Sequence, residues 1–384
     1  NLTLNTLDES FFLFGPRQTG KSSLLRETLK NATWIDLLQS DIFALYSTRP
    51  QQLREELIAA KLRPGSWVVI DEIQKVPALL DEVHWLIENK KINFALSGSS
   101  ARKLVRGHAN LLGGRALKRE LTGLTSQELG KDFDLNRVLN RGALPRIYLS
   151  DTDTLAKDRL SSYVGDYLKE EIAAEGLVRN LPAFAEFLRL AAIADTEPVA
   201  FSSFARDAGI SGPTIKSYYQ ILVDTLLGNF VESFRLRPKR RVESTAKFYF
   251  FDPGVVGQLA RRGRVEPGSE LYGKAFENWV HHELRAYQSY QARDLEISTW
   301  RLSTKVEVDF ILNRLECAIE AKSSEKIHGD HLKGLRELGE EYSKKIKRRI
   351  VVCREARART TEDNIEILPV KTFCEMLWSG DLIR

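Results

Sequence analysis

The chain has 384 residues, more than one hydrophobic core usually organises, so two or three domains are expected. With 43% hydrophobic and 28% charged residues it is neither fibrous nor disordered, and no apolar run approaches the roughly 18 residues of a membrane span. The formal net charge of +5 permits contact with nucleic acid without requiring it.

Residues 10–14 form a short apolar run, residues 24–29 continue a helix after a glycine loop, and residues 33–37 are extended. Residues 67–70 and 94–96 read as buried strands, giving the alternation of a parallel sheet covered by helices. From about residue 151 the pattern turns helical: Leu160, Tyr163, Val164, Tyr167, Leu168 and Ile172 fall on one face, and Phe184, Phe187, Leu188 and Ala191 on another. Strands return at 248–251, followed by a helix over 273–290 and alternating strands over 306–312 and 317–321. Cys317, Cys353 and Cys374 lack CxxC spacing, which argues against a disulfide framework or zinc site and for buried apolar roles. The segment after Asn1 has neither a charged n-region nor an apolar h-region, so no signal peptide and a cytoplasmic location are expected.

Gly15-Pro16-Arg17-Gln18-Thr19-Gly20-Lys21-Ser22 lies between a strand and a helix, the setting a phosphate-binding loop requires. Its glycines let the backbone wrap phosphates, and its amides face them with the positive end of the helix. Lys21 should reach the β- and γ-phosphates of ATP, and the Ser22 hydroxyl should take a position on Mg²⁺. The strand Trp67-Val68-Val69-Ile70 ends in Asp71 and Glu72. Asp71 is expected near the metal, and Glu72 is placed to polarise an attacking water or to serve structurally. The next core strand delivers Ser97, Gly98, Ser99 and Ser100, read either as a γ-phosphate sensor or as the cap of a helix at 101–104. Among Arg102, Arg106 and Arg115, the last is the best candidate for an arginine acting on nucleotide in cis or in trans.

In the order GPRQTGKS, VVIDEIQKVP, LSGSSARKL, GGRA, LTSQEL and GALP, these motifs resemble a bacterial and archaeal family of AAA-type P-loop ATPases. That family carries a C-terminal region long described only as a domain of unknown function, and the resemblance runs from about residue 11 to 324. It is also similar to signal-transducing ATPases with a GxP element in the lid, where Gly142-Ala143-Leu144-Pro145 stands here.

Residues 199–227 read independently as a helix-turn-helix. Phe204 and Ala205 lie on the first helix, Gly209-Ile210-Ser211 forms the turn, and Ser211 and Pro213 start a second helix that buries Ile215, Tyr219 and Leu222. A winged helix would complete it. Thr214, Lys216 and Ser217 would read DNA, with Arg235, Arg237, Lys239, Arg240 and Arg241 on a basic wing; the other reading is a lid or protein-contact module.

Farther on, Asp309 shares a strand face with Glu307, and Glu320 shares one with Lys322. A hairpin joining them would suit metal-dependent phosphodiester hydrolysis, with Asp309 and Glu320 holding Mg²⁺ or Mn²⁺ and Lys322 steadying the water. The spacing resembles the PD-(D/E)XK nuclease superfamily, with Val308 in place of the proline. The resemblance implies an additional acid from an upstream helix, which Glu277 fits.

The expected fold is α/β: a P-loop NTPase parallel sheet over 1–130, a helical lid and winged helix over 131–245, and an α/β nuclease-like domain over 246–384. The leading functional expectation is an ATPase coupled to a metal-dependent nuclease acting on nucleic acid, DNA above RNA, with homo-oligomerisation open. Its rival is a signalling or adaptor ATPase whose C-terminal domain binds a partner without cutting.

Overall fold

The computed structural model describes residues 8–100, 111–167, 172, 178–235, 245–291, 294–343 and 345–383. The chain divides into two compact units, one running through Thr122 with 224–226 and 289–291, the other containing the remainder.

In the first unit, strands β1 (Phe11–Phe14), β2 (Thr33–Asp36), β3 (Trp67–Asp71), β4 (Asn93–Gly98) and β5 (Leu117–Glu120) form one sheet in the order β2-β3-β4-β1-β5. Every pairing is parallel. Both faces of such a sheet are covered, which is why the central strands read as continuous apolar runs rather than alternations. Phe12, Phe14, Val68, Ile70, Phe94 and Leu96 fill one side, against Leu79, Val83 and Leu86 of helix α1 (Leu79–Lys90). The chain leaves β1 toward β2 and leaves β4 toward β5, so these neighbouring strands send their connections in opposite directions. The crevice at their C-terminal ends is a topological switch point, where open α/β sheets bind ligands.

The second unit opens on helix α2 (Ser126–Leu129), the LTSQEL motif, where Thr125 and Glu128 cap each other reciprocally. The GALP motif also has a packing reason. At Gly142, with φ at 81°, a Cβ would lie 2.0 Å from Asp252 Oδ1, and Asp252 accepts the Ala143 amide at 2.6 Å. A helical layer follows, with helix α3 (Asp153–Asp166) burying Ala156, Leu160 and Tyr163. Helix α4 (Leu181–Ile193) starts with Asn180 accepting the Ala183 amide at 3.1 Å and buries the expected Phe184, Phe187, Leu188 and Ala191. Leu168 lies outside the described residues.

The helix-turn-helix reading corresponds to α5 (Phe201–Ala208), a left-handed Gly209 and α6 (Gly212–Asp224), whose Thr214 amide donates to Ser211 Oγ at 3.3 Å. Ile215, Tyr219 and Leu222 are buried, while Lys216 and Ser217 are exposed. An antiparallel hairpin of β6 (Gly228–Val231) and β7 (Lys247–Phe250) follows, with Phe248 packed edge-on against Tyr219. Arg237, Lys239, Arg240 and Arg241 of the basic stretch lie outside the described residues, as do Arg102, Arg106 and the helix expected at 101–104.

The C-terminal sheet has the order β12-β13-β11-β10-β9-β8: β8 (Ile297–Arg301), β9 (Glu307–Leu312), β10 (Cys317–Ala321), β11 (Arg348–Cys353), β12 (Arg359–Thr360) and β13 (Glu366–Pro369). Helix α7 (Glu270–Tyr290) starts three residues before the expected position. Cys317 and Cys353 are buried as expected, and Cys374 is partly exposed. The hairpin joins the edge strand β8 through backbone bonds from Phe234 to Thr299 (2.6 Å) and from Thr299 to Glu232 (2.9 Å). That bond pair fixes the stretch just after β6 beside the C-terminal sheet.

Candidate functional site

Two separate centres carry the titratable residues singled out in the sequence. The first lies at the switch point of the parallel sheet. Strand β1 ends at Phe14 and is followed by Gly15, where a Cβ would lie 2.2 Å from the Leu121 carbonyl oxygen, so only glycine fits. Gln18 (φ 62°) and Gly20 (φ 95°) take left-handed backbone, the conformation from which consecutive amides form an anion-binding concavity. Pro16 and Thr19 are buried, Arg17 is half-buried, and Gln18 is exposed at the crest. The loop is braced internally: Thr19 Oγ1 donates to the Pro16 carbonyl at 3.0 Å, and the buried Lys21 ammonium donates to the Gly15 and Pro16 carbonyls at 2.8 and 2.9 Å.

Asp71, buried at the end of β3, ties this loop to the sheet. Its Oδ2 accepts from the Ser22 hydroxyl at 2.6 Å, and its Oδ1 accepts from the Ser97 hydroxyl on β4. Three elements therefore converge on one carboxylate, with charge-assisted bonds that are stronger than neutral ones. Glu72 follows in left-handed backbone and is held by Gln74; Ser99 is 3.1 Å from Gln74 and 3.4 Å from Glu72. Sequence reasoning missed Gln74. It is almost fully buried, and a Cβ at Gly98 would lie 2.5 Å from its Oε1, so the glycine makes room for it.

Arg115, expected to act on nucleotide in cis or in trans, does not lie at the loop of its own chain. It precedes β5, whose first residue Leu117 pairs with Phe11 at the start of β1, whereas the loop follows Phe14. Arg115 thus sits at the opposite end of the strands from the loop and is ion-paired with Glu88 of α1.

The second centre forms where the sequence expected a hairpin. Strands β9 and β10 pair antiparallel, and the Ala321 amide donates to Asp309 Oδ2 at 2.9 Å. Glu320 Oε1 lies 2.6 Å from the Lys322 ammonium, and Glu277 comes in from α7. The unexpected member is Lys247 of β7. Its ammonium lies 2.9 Å from Glu277 Oε1, 3.2 Å from Asp309 Oδ1 and 3.8 Å from Glu307 Oε1, and its side chain is 3% exposed. Tyr249, two residues along the strand on the same face, donates to Glu277 Oε1 at 2.6 Å. One sequence signal could have found them, the shared strand face of Lys247 and Tyr249; their partners lie 30 and 62 residues away from Lys247.

These carboxylates do not fit a resident Mg²⁺ or Mn²⁺. Such an ion takes oxygen ligands at about 2.0–2.6 Å, but Asp309 Oδ1 faces Lys247, Asp309 Oδ2 holds a backbone amide, and Glu320 Oε1 holds Lys322. Glu320 Oε2 is buried without a hydrogen-bond partner among the described residues. No group of three or more His, Cys, Asp or Glu among the described residues is arranged to hold a metal ion. Asp309 and Glu320, the two residues expected to hold metal, are paired with Lys247 and Lys322 respectively.

Electrostatics follow the packing. Burial, reinforced by repulsion from Asp309, raises the Glu277 carboxyl to about 7 despite Lys247, and the same two causes raise Glu320 to about 8 despite Lys322. Burial acts to lower the Lys247 pKa, but Glu277, Asp309 and Glu307 outweigh it and hold the ammonium protonated. His281 stacks on Tyr249 at 4.3 Å, and burial keeps its imidazole neutral.

Comparisons with known proteins agree with the first centre. Residues 8–130 match the family model described as an AAA domain. The first unit thus carries a P-loop ATPase domain of the AAA type, a class that binds ATP with Mg²⁺. Residues 132–266 and 272–373 match two domains of unknown function, DUF8612 and DUF4143. The chain is similar to an uncharacterized protein of Mycobacterium tuberculosis, 25% identical over 304 residues, covering 77% of this chain and 66% of that protein. An uncharacterized protein of Haemophilus influenzae is 24% identical over 329 residues, covering 79% of each chain. The chain therefore spans just under two thirds of the mycobacterial relative's length. Among solved structures, the Aeropyrum pernix ORC2 protein superposes with a TM-score of 0.39 at 12% identity, covering 66% of this chain and 88% of that one. A point variant of Thermotoga maritima RuvB gives 0.29 at 18% identity, with 58% and 81% covered. Among the described residues no helix is long and apolar enough to cross a membrane.

The raised Glu320 carboxyl makes a pH prediction. Unfolded glutamate releases its proton near 4.3, whereas folded Glu320 keeps it to about 8. Within that window the folded state holds the extra proton, so this contribution stabilises at the acid end and is lost as pH rises. Glu320→Gln keeps the neutral shape. In urea unfolding it should match wild type near pH 5 and exceed it by on the order of 1–3 kcal/mol at pH 8. Identical pH profiles for the two proteins would contradict the assignment.

Proposed function

We propose that the chain is an ATP-hydrolysing switch whose nucleotide state controls a nucleic-acid-directed helix-turn-helix and a nuclease-like C-terminal region that does not cut. The division of labour follows the segments 1–130, 131–245 and 246–384. The observation that carries the ATPase reading is the Asp71 carboxylate joined to Ser22 and Ser97 beneath the Gly15 loop.

Ser22 and Asp71 are the residues that would hold Mg²⁺, which when bound neutralises phosphate charge. Lys21 contributes fixed positive charge at the loop, and its carbonyl partners exchange for phosphate oxygens. Glu72 orients the attacking water and takes its proton, with Gln74 and Ser99 setting the carboxylate's direction. Ser97 acts through Asp71 rather than as a free sensor.

Lys247 favours the non-cutting reading of the C-terminal centre over the coupled nuclease, because the carboxylates that would take metal are paired with ammonium groups. The favoured partner is DNA. Lys216 and Ser217 are exposed on α6, and Arg235, Arg237, Lys239, Arg240 and Arg241 follow in sequence.

Steady-state hydrolysis tests the first half. Wild type should turn over ATP with Mg²⁺, Lys21→Ala should lose nucleotide binding, and Glu72→Gln should keep binding while losing about 10²- to 10⁴-fold in rate. Unchanged turnover in Glu72→Gln would remove its catalytic role. For the second half, DNA affinity should fall steeply between 50 and 200 mM salt, about as expected for a phosphate-gripping surface, and weaken in Arg240→Ala with Arg241→Ala. Salt-independent binding would sink the DNA assignment.

A further inference from the structure

We infer that Lys247 is the resident cation of the C-terminal acidic centre: its ammonium occupies the place of a divalent metal among Glu277, Asp309 and Glu307, and so closes the centre to metal-dependent phosphodiester cleavage. The inference rests on the PD-(D/E)XK-like reading of Asp309, Glu320 and Lys322, and deepens it.

Four carboxylates meet here, Glu277, Glu307, Asp309 and Glu320. Lys322 engages Glu320 at 2.6 Å, and Arg301 engages Glu307 at 3.1 Å. Neither contacts Glu277 or Asp309 in those pairs. Lys247 lies within 3.2 Å of both, donating to one oxygen of each. A bridging position between two carboxylates contributed by a helix and a strand is where an ion shared by them would sit.

The lysine is held there by its backbone. Strand β7 pairs with β6 through Lys247 and Val231, and on its other side Lys247 bridges to Pro198, while the Val199 amide donates to the Ala246 carbonyl at 2.9 Å. Tyr249, from the same face, occupies the Glu277 oxygen that Lys247 uses. The ammonium is thus delivered by a strand paired on both edges, not by a surface side chain free to swing away.

Burying an ammonium is costly without partners, and leaving these acids without it would be costly too. The ammonium and its acids therefore satisfy one another, and an ion shared by Glu277 and Asp309 could enter only by displacing Lys247. A lysine supplies one positive charge and hydrogen-bond donors, but no open coordination position at which water could be activated.

Mn²⁺ binding to the full, nucleotide-free chain, followed by the paramagnetic signal of free Mn²⁺, tests this. Wild type and Asp309→Asn should bind the same number of ions. Lys247→Gln should bind one more per chain, and that ion should vanish in Lys247→Gln combined with Asp309→Asn. One more Mn²⁺ in wild type than in Asp309→Asn would overturn the inference and leave the nuclease-like reading standing. A folded Lys247→Gln chain that gains no ion would overturn both. The comparison of wild type with Asp309→Asn can overturn the inference even where Lys247→Gln fails to fold.

Discussion

The Asp71 carboxylate is the constraint on which the nucleotide site depends. It joins the first turn of the helix after the loop to the ends of β3 and β4, through Ser22 on one oxygen and Ser97 on the other. The sheet order puts β4 beside β1, so the strand that carries Ser97 is the one next to the loop. Parallel pairing brings all three strand ends to one edge, and the glycine at position 15 lets the loop pass against the Leu121 carbonyl. These bonds hold the cradle's geometry, the kind of preorganisation that makes electrostatic stabilisation effective.

The two acidic centres show how similar residues are put to opposite ends by their partners. Asp71 is satisfied by neutral hydroxyls, which fix its orientation. Asp309 and Glu277 are satisfied by an ammonium, which cancels charge as well as fixing geometry. Hydroxyls can share a carboxylate with an arriving cation; a buried lysine competes with it. The number of acids does not distinguish an ion site from a self-neutralised one, whereas the identity of the hydrogen-bond donors does.

Much of the fold was legible because it is local. The apolar runs before and after the glycine loop, the 3.6-residue faces around Leu160 and Phe184, and the Ser211 cap of the second helix are decided by neighbours within a few residues. The alternation of Glu307 and Asp309, and of Glu320 and Lys322, likewise foretold a hairpin that puts these residues together. Lys247 was not legible as a member, because its partners come from a helix and a strand far along the chain, and the basic run before it suggests a solvated wing. Gln74 was hidden for a related reason: its role follows from the missing side chain at Gly98. Arg115 looked apt by motif, and strand direction, which a motif does not encode, puts it at the far end of the sheet from its own loop.

One chain thus holds a hydroxyl-bonded carboxylate beneath the Gly15 loop and a lysine-paired acidic centre elsewhere. Counting Mn²⁺ bound per chain at saturating, non-hydrolysable ATP analogue tests that contrast most directly. One nucleotide-dependent ion, lost in Asp71→Asn and retained in Asp309→Asn, is the predicted result. Two ions per chain, or a single ion that survives Asp71→Asn and disappears in Asp309→Asn, would contradict it.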